Sequence, residues 1–130
     1  MASLFTKILD GQIPGQVVHQ DEVCAAILDI MPLTRGHVVL FPREEVDHWI
    51  DVDGPTRDHL FEVAATIGRA QLSAFGGERT GLIIQGFEVP HAHLHVFPTK
   101  DAKDFDLTDR EQTDTEELAT VAEQLRAALA

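Results

Sequence analysis

The stretch His91-Ala92-His93-Leu94-His95-Val96-Phe97-Pro98 decides the fold, and a second proline, Pro90, stands directly before it. Its apolar and β-branched residues favour a short extended strand. Side chains alternate between the two faces of a strand, so the three histidines would share one face and Ala92, Leu94 and Val96 the other. Alternate imidazoles would then lie roughly 6.6 Å apart along one line. We therefore expect a strand with an apolar core face and a functional histidine face.

Three histidines on one strand face are open to a structural interpretation and to two functional ones. Each imidazole has a donor and an acceptor to satisfy when buried, so a buried cluster without a use would be costly. A metal centre would need all three rings to converge on bonds of about 2 Å, yet the outer pair would lie roughly 13 Å apart on a straight strand. This spacing favours nucleophilic and acid–base chemistry on an anion.

The composition is that of an ordinary globular protein, with 44% apolar and 25% charged residues among 130. This length suits a single domain with its own core. The formal net charge of −12 argues against general binding to nucleic acid or an anionic membrane, since both need a basic surface. We find no pattern of a membrane span or of a signal peptide. We therefore expect a cytoplasmic protein, in which the single cysteine, Cys24, is a core residue.

Hydrophobic patterns along the rest of the chain predict short strands and helices. The predicted strands cover residues 16–20, 23–30, 37–42, 82–85 and 92–97. The predicted helices cover residues 3–9, 44–50 and 57–75, and a last one starts with Thr113-Asp114-Thr115-Glu116, which fits a capping box. The fold class is α+β, with one long and several short helices against an antiparallel sheet of about five strands. We expect one domain over 1–130, with an acidic surface segment over 100–112 between a core over 1–99 and a helix over 113–130.

The ordered motifs resemble the histidine triad (HIT) family of nucleotide hydrolases and transferases. Besides the triad itself, the similar segments are Leu4-Phe5-Thr6-Lys7-Ile8 with Gly11 to Pro14, Leu28-Asp29-Ile30 with Pro32, and Gly36 to Pro42. The resemblance covers roughly residues 3–98 and leaves the C-terminal part unassigned. It implies a homodimer in which two sheets join, with a purine nucleotide lying across each sheet and no cofactor.

The resemblance also implies a mechanism. His93 would attack the α-phosphorus and form a covalent nucleotidyl-histidine, which water would then hydrolyse. A neutral imidazole is a competent nucleophile at neutral pH. His95 and backbone N–H groups near Gly86 would stabilise the phosphoryl oxygens, and His91 and His37 would support the array without touching phosphorus.

Further residues are implied to hold the nucleotide. Asp29 would accept hydrogen bonds from the ribose hydroxyls, and the loop before the triad would contribute Gln85, Gly86 and Glu88. The apolar slot for the base would be formed by Leu4, Phe5, Ile8, Leu28, Ile30 and Val39. Glu88 stands where the family often has a serine that donates to the leaving group. A carboxylate there would act as a general acid only if its pKa were raised.

Two departures from the family pattern bear on metal and substrate. Some members hold a structural zinc with two N-terminal cysteines, but no cysteine lies near residues 5–10 here, so we expect no metal and interpret His48 as structural or surface. The N-terminal part resembles the Hint branch, which cleaves phosphoramidates, whereas Pro98 resembles the Fhit branch, which cleaves dinucleoside polyphosphates. We favour a purine nucleoside phosphoramidate, such as a conjugate of AMP. A dinucleoside polyphosphate hydrolase and a non-catalytic nucleotide-binding protein are the alternatives.

Overall fold

A computed structural model describes residues 2–130, and its centre is a five-stranded antiparallel sheet. The strands are β1 (Val17–Gln20), β2 (Cys24–Leu28), β3 (Val38–Pro42), β4 (Arg79–Ile83) and β5 (Leu94–Thr99). Their order across the sheet is β1-β2-β3-β5-β4, so β3 and β5 are neighbours although 51 residues separate them in sequence. The sheet confirms the predicted fold class. Its register places His95 directly opposite Val39.

Three α-helices begin at side-chain caps that the sequence supplies. They are α1 (Leu4–Leu9), α2 (Gly54–Phe75) and α3 (Thr115–Leu129), and short 3₁₀ turns cover Trp49–Asp51 and Ala102–Phe105. Ser3, Asp53 and Asp114 accept hydrogen bonds from the backbone N–H groups of the first turns. The last helix is thus capped by Asp114, one residue later than the predicted capping box. Within residues 2–130, no helix has the length and apolarity that crossing a membrane requires.

The two faces of the sheet bury two separate apolar clusters. Alternate residues of β2, β3 and β5, such as Leu40, Leu94 and Val96, pack against α2 and α3. The opposite face carries a smaller cluster around Phe5 and Phe41, which α1 covers. The predicted alternation therefore holds for Leu94 and Val96. The site lies on this face of the sheet, beside α1.

Three predicted boundaries are wrong, each because of tertiary pairing. β5 begins at Leu94, so His91 and His93 precede the strand; the N–H of Ala92 donates to the carbonyl of Val46 at 2.7 Å instead of to a neighbouring strand. The same contact holds residues 44–50 in turns, and only Trp49–Asp51 forms a 3₁₀ turn there. β4 begins at Arg79, because it pairs with β5 as far as Thr99. The predicted subdivision of the chain at residues 99 and 112 stays a prediction.

Candidate active site

His91 is buried beneath the site and has both ring nitrogens occupied. Its Nε2 lies 2.6 Å from the carbonyl oxygen of Pro42, and its Nδ1 lies 2.6 Å from the hydroxyl of Ser3. A carbonyl only accepts, so Nε2 carries the proton and Nδ1 accepts from the serine hydroxyl. Because Ser3 also caps α1, His91 joins that helix to the end of β3. Neither nitrogen of His91 is free for chemistry.

His93 has one nitrogen fixed and the other available. Its Nδ1 lies 2.7 Å from the carbonyl oxygen of His91 and therefore carries the proton. Nε2 is left with a lone pair, and the ring lines a cavity, edge-on to Phe5 with the ring centroids 4.8 Å apart. This tautomer is the one that a nucleophilic imidazole needs.

The tautomer of His95 is determined by a hydrogen bond from His37, which lies just before β3. The N–H of Leu33 donates to Nδ1 of His37 at 2.9 Å, so the proton of His37 resides on Nε2. That Nε2 lies 2.9 Å from Nδ1 of His95 and donates to it. The proton of His95 is therefore on Nε2, which is buried and has no well-aligned hydrogen-bond acceptor among residues 2–130. An N–H group in that position can bind an anion.

These two histidines line a cavity of about 340 Å³, a size usual for small-molecule sites. The structure brings ten of the predicted site residues to its wall: Leu4, Phe5, Ile8, Leu28, Asp29, Ile30, Val39, Glu88, His93 and His95. Sequence reasoning missed Ile13, Ile27, Met31, Val89 and Arg110, which line the same cavity. The first four continue the apolar wall, and their strand or loop positions gave no separate signal.

Four predicted residues do not line the cavity. His91 and His37 lie behind it, where they hold the catalytic candidates through the hydrogen bonds described above. Gln85 and Gly86 lie on an exposed loop, in which the side-chain oxygen of Gln85 accepts from the N–H of Phe87 at 3.2 Å. Gly86 has a φ of +87°, which a glycine adopts easily. This loop instead positions Glu88.

Asp29 lies where the cavity meets the pair of His37 and His95. One of its carboxylate oxygens accepts from the N–H of Met31 at 2.8 Å. The other lies 3.7 Å from Nε2 of His37 and 3.8 Å from Nδ1 of His95, and it accepts from Arg110 at 3.2 Å. Burial raises the pKa of Asp29, and the contacts with Met31 and Arg110 offset only part of that rise. A role for Asp29 at the ribose stays a prediction.

Arg110 enters the site from the segment that the sequence predicted to be an acidic surface. Its Nη2 lies 2.7 Å from Oε2 of Glu88, and its Nε donates to the carbonyl of Leu107 at 3.0 Å. Oε1 of Glu88 lies 3.2 Å from Nε2 of His95. Burial pushes the pKa of Glu88 upward, but the hydrogen bond and charge of Arg110 outweigh burial and hold it below its usual value. The condition for a general acid at Glu88 is therefore not met.

The buried histidines are neutral at physiological pH. Burial lowers the pKa of His93, because the charged imidazolium loses hydration there. Burial and the charge of neighbouring His93 lower the pKa of His95 to about 4. Burial likewise places the pKa of His37 well below its usual value. The tautomers assigned above are thus those of the resting protein.

Metal-ligating atoms converge at three places within residues 2–130. Two groups belong to this site, Glu88 with His93 and His95, and Asp29 with His37 and His95. The third, His19 with Asp21 and Cys24, lies at the β1–β2 turn. His91 is in none of these groups, so the described geometry does not favour a centre built from all three triad histidines. The absence of a bound metal stays a prediction.

Comparison with known proteins identifies similar chains. Residues 10–102 match the family model of the HIT domain. An uncharacterized HIT-like protein of Borreliella burgdorferi is 31% identical over 102 residues, which cover 73% of each chain. The adenylylsulfatase HINT3 of Arabidopsis thaliana is 25% identical over 103 residues, which cover 75% of this chain and 52% of that protein. The crystal structure of a Hit-like protein of Bartonella henselae, involved in cell-cycle regulation, superposes with a TM-score of 0.85 at 27% identity, covering 97% of this chain and 95% of that one.

Proposed function

Because the chain belongs to the histidine triad (HIT) family, we propose that it hydrolyses a purine nucleotide conjugate by attack of His93 on the α-phosphorus. The observation that carries this proposal is the 2.7 Å hydrogen bond from Nδ1 of His93 to the carbonyl of His91. It fixes the tautomer whose Nε2 lone pair faces the cavity. The favoured substrate is a purine nucleoside phosphoramidate, and the enzyme would be a phosphoramidase.

The reaction proceeds in two displacements. Nε2 of His93 forms a bond to the α-phosphorus while the bond from phosphorus to the leaving nitrogen breaks. The leaving group takes that electron pair and a proton from solvent and departs as a free amine, and the water that attacks in the second step returns a proton to solvent. The covalent nucleotidyl-histidine is then attacked by water. The new P–O bond forms as the P–Nε2 bond breaks, which releases the nucleotide, AMP for an adenylyl substrate, and restores the neutral imidazole.

His95 stabilises the charge that develops on the phosphoryl oxygens. Its Nε2–H points into the cavity, and the donor from His37 keeps the proton on that nitrogen. A donor held in place before the reaction needs no reorganisation when charge develops. In this proposal His91 and His37 are positioning residues. The contact to the phosphoryl oxygens, which was predicted from the family resemblance for His95 and for backbone N–H groups near Gly86, is made by His95.

The nucleoside lies in the apolar part of the cavity. Phe5, Ile27 and Val39 provide a buried wall for a flat base, while Leu4 and Ile30 form an exposed rim. Asp29 lines the same cavity between Leu28 and Ile30 and is the candidate for the ribose hydroxyls. Stacking and burial of this kind favour a purine without selecting between adenine and guanine.

The candidate substrates differ in the leaving group that is attached to the α-phosphorus. One relative is named an adenylylsulfatase, which supports an adenylyl conjugate as the substrate class. A dinucleoside polyphosphate is the second candidate, because Arg110 and His95 offer donors to more than one phosphate. A nucleotide-binding protein without turnover is the third. These three differ in what an assay of product release records.

We further propose that the protein is a cytoplasmic homodimer. β4 is an edge strand of the sheet and carries the half-exposed Leu82, and the neighbouring α2 exposes Phe61. A second copy pairing along this edge would cover both the unpaired backbone and these apolar side chains. The single buried cysteine fits a reducing compartment.

The proposal is tested by AMP release after treatment with a chelator. The wild type and the His93→Ala variant are incubated with adenosine 5′-phosphoramidate, a diadenosine polyphosphate and adenosine 5′-phosphosulfate. We expect wild-type release of AMP from the phosphoramidate, and a rate lower by at least about 10³-fold in the variant. Denatured wild-type protein should carry a labelled nucleotide on His93, detectable by mass spectrometry.

The alternatives give different results in the same assay. Faster cleavage of the diadenosine compound would assign the protein to the polyphosphate hydrolases. AMP binding without release from any of the three compounds would favour a binding protein and contradict the hydrolase. Release that the chelator abolishes would favour a metal-dependent reaction.

A further inference from the structure

The carboxylate of Glu88 lies between two N–H groups inside the cavity: it accepts a hydrogen bond from Arg110 and lies close to, but not well aligned with, Nε2 of His95. Oε1 lies 3.2 Å from Nε2 of His95, and Oε2 lies 2.7 Å from Nη2 of Arg110. Glu88 reaches this place from an exposed loop, with about a third of its side chain still exposed to solvent. One oxygen of Glu88, one ring nitrogen of His93 and one ring nitrogen of His95 all lie within 4.8 Å of one another. An anionic group therefore already occupies the space in front of the nucleophile.

A phosphoryl group bound for attack by His93 needs the same two donors. Two of its non-bridging oxygens have a spacing similar to that of a carboxylate, so the group could bridge His95 and Arg110 in the same way. The phosphoryl group and the ionised Glu88 cannot share this space, because both are negative and both only accept hydrogen bonds. Arg110 keeps the pKa of Glu88 low, so protonation does not remove the conflict at neutral pH.

Arg110 stays in position without Glu88. Its Nη1 binds Asp29 and the carbonyl of Met31, both at 3.2 Å, and its Nε binds the carbonyl of Leu107 at 3.0 Å. Only about 10% of the side chain is exposed. If Glu88 moves out on its loop, Nη2 of Arg110 is left as an oriented donor facing the cavity. A fixed guanidinium is well suited to an incoming phosphate.

We infer that Glu88 is an internal competitor for the phosphate subsite, and that Arg110 is the residue that binds the phosphoryl group once Glu88 has left. This inference rests on the proposed nucleotide function. Glu88 leaves when the substrate enters and returns when AMP departs, so it weakens binding of the product as well as of the substrate. Arg110 holds Glu88 in the empty site and would hold the phosphate in the occupied one.

The comparison of AMP with adenosine isolates the competition between Glu88 and the phosphate, because only AMP has the phosphate. The dissociation constants of both ligands are measured by calorimetry for the wild type and for Glu88→Gln, which keeps the shape and removes the charge. We expect AMP to bind the variant about tenfold more tightly and adenosine to bind with unchanged affinity. Glu111→Gln is the matched control, since it makes the same charge change on an exposed side chain next to Arg110. It should leave both constants within about twofold.

The second arm replaces Arg110 with methionine. AMP should bind at least about tenfold more weakly, and adenosine should change much less, since Arg110 reaches the nucleoside only through its contact with Asp29. The double variant Glu88→Gln/Arg110→Met should stay weaker than Glu88→Gln alone, which shows that Arg110 contacts the phosphate and does not act only through Glu88. Arg69→Met removes an exposed arginine from α2 and controls for net charge. Thermal unfolding of each variant identifies any loss of folded protein.

The outcomes separate this inference from the proposed function. If adenosine binds but Glu88→Gln leaves AMP affinity unchanged or lowers it, Glu88 is no competitor and the inference is overturned while the nucleotide site stands. If Arg110→Met weakens adenosine and AMP equally, Arg110 supports the pocket and does not bind phosphate. If neither ligand binds the wild type or Glu88→Gln, the proposed function and this inference both fail.

Discussion

Nε2 of His37 lies 2.9 Å from Nδ1 of His95, and this contact joins two residues that are 58 positions apart in sequence. It exists because β3 and β5 are neighbours in the sheet, with Val38 opposite Val96. The N–H of Leu33 fixes the tautomer of His37, and the hydrogen bond from His37 fixes the tautomer of His95. The position of the proton on His95 thus depends on the pairing of β3 with β5.

Replacing His37 with leucine should show whether His37 positions His95 for catalysis or contributes to substrate binding. The variant leaves the N–H of Leu33 and Nδ1 of His95 without their partner, which should lower the free energy of unfolding by about 2–4 kcal/mol. Because His95 then loses its fixed tautomer, kcat should fall by about 10–100-fold with a smaller change in KM. Steady-state hydrolysis of adenosine 5′-phosphoramidate and urea unfolding measure the two effects.

His37→Gln is the conservative control for this prediction. Its amide both accepts and donates, so it can replace the contacts to Leu33 and His95. We expect partial recovery of kcat and of stability relative to the leucine variant. A leucine variant with wild-type kcat would show that the tautomer of His95 does not depend on His37.

The pH dependence of turnover should report the burial of the histidines. Burial lowers the pKa of His93 below the ordinary value of 6.5, and the active form is the neutral one. The value of kcat/KM should therefore stay level from neutral pH downward through 6.5 and fall only at lower pH. The measurement is an initial-rate profile, with circular dichroism at each pH to confirm that the chain is folded. An acid limb centred at or above 6.5 would contradict a buried neutral nucleophile.

Asp21 should contribute stability that depends on pH. One of its oxygens accepts from the N–H groups of Val23 and Cys24, and the other lies 2.9 Å from Nε2 of His19 and 2.7 Å from Nε2 of His59. Partial burial alone would raise its pKa, but these hydrogen bonds hold the pKa well below the ordinary value of 3.8. The folded state therefore binds the proton less readily than the unfolded chain does. Its contribution is present above about pH 3.8 and is lost as the pH falls below that value.

The variant Asp21→Asn tests this contribution. It should unfold with a free energy lower by about 1–3 kcal/mol at pH 7, because the amide cannot accept at both oxygen positions. The difference from the wild type should shrink in acid, where the wild-type carboxylate becomes protonated. Asp58→Asn, on an exposed position of α2 beside His59, is the matched control and should leave stability nearly unchanged. A difference that does not shrink below about pH 3.8 would contradict the assignment.

Local patterns in the sequence were sufficient to predict the sheet and most of the cavity wall. Apolar runs predicted β2 and β3, alternation predicted the core face of β5, and the family resemblance predicted that His93, Phe5 and Asp29 share one site, where they line the same cavity. The predicted helix over 44–50 was wrong because the contact from Ala92 to Val46 competes with helical hydrogen bonds. The start of β4 was missed because Arg79-Thr80-Gly81 has no apolar alternation, and its pairing with β5 is a long-range contact.

The role of Arg110 could not be predicted from the sequence at all. It lies in an irregular segment without periodicity, among acidic residues that usually form a solvated surface. Its contact with Glu88 spans 22 positions, and its contact with Asp29 spans 81. Contacts of this kind depend on where a loop packs, and neither spacing nor residue type specifies that.

Gly36 should be intolerant of any side chain, because it lies between Phe75 and His37. Its φ is +96°, and a Cβ there would lie 2.4 Å from Cδ2 of Phe75. Gly36→Ala thus combines a strained backbone with a steric clash and should lower the free energy of unfolding by about 2–4 kcal/mol. Because Gly36 directly precedes His37, we also expect a fall in kcat. Urea unfolding and hydrolysis of adenosine 5′-phosphoramidate measure the two effects.

Gly76→Ala is the matched control, since Gly76 has a φ of +79° but a Cβ added there would meet nothing within 4 Å. It should lose only the stability that the backbone conformation costs, about 1–3 kcal/mol, and keep full activity. Removing the ring in Gly36→Ala/Phe75→Ala should relieve the clash, so the double variant should be more stable than the sum of the two single changes predicts. Strict additivity would mean that the ring moves aside freely, and the cost at Gly36 would then be that of the backbone alone.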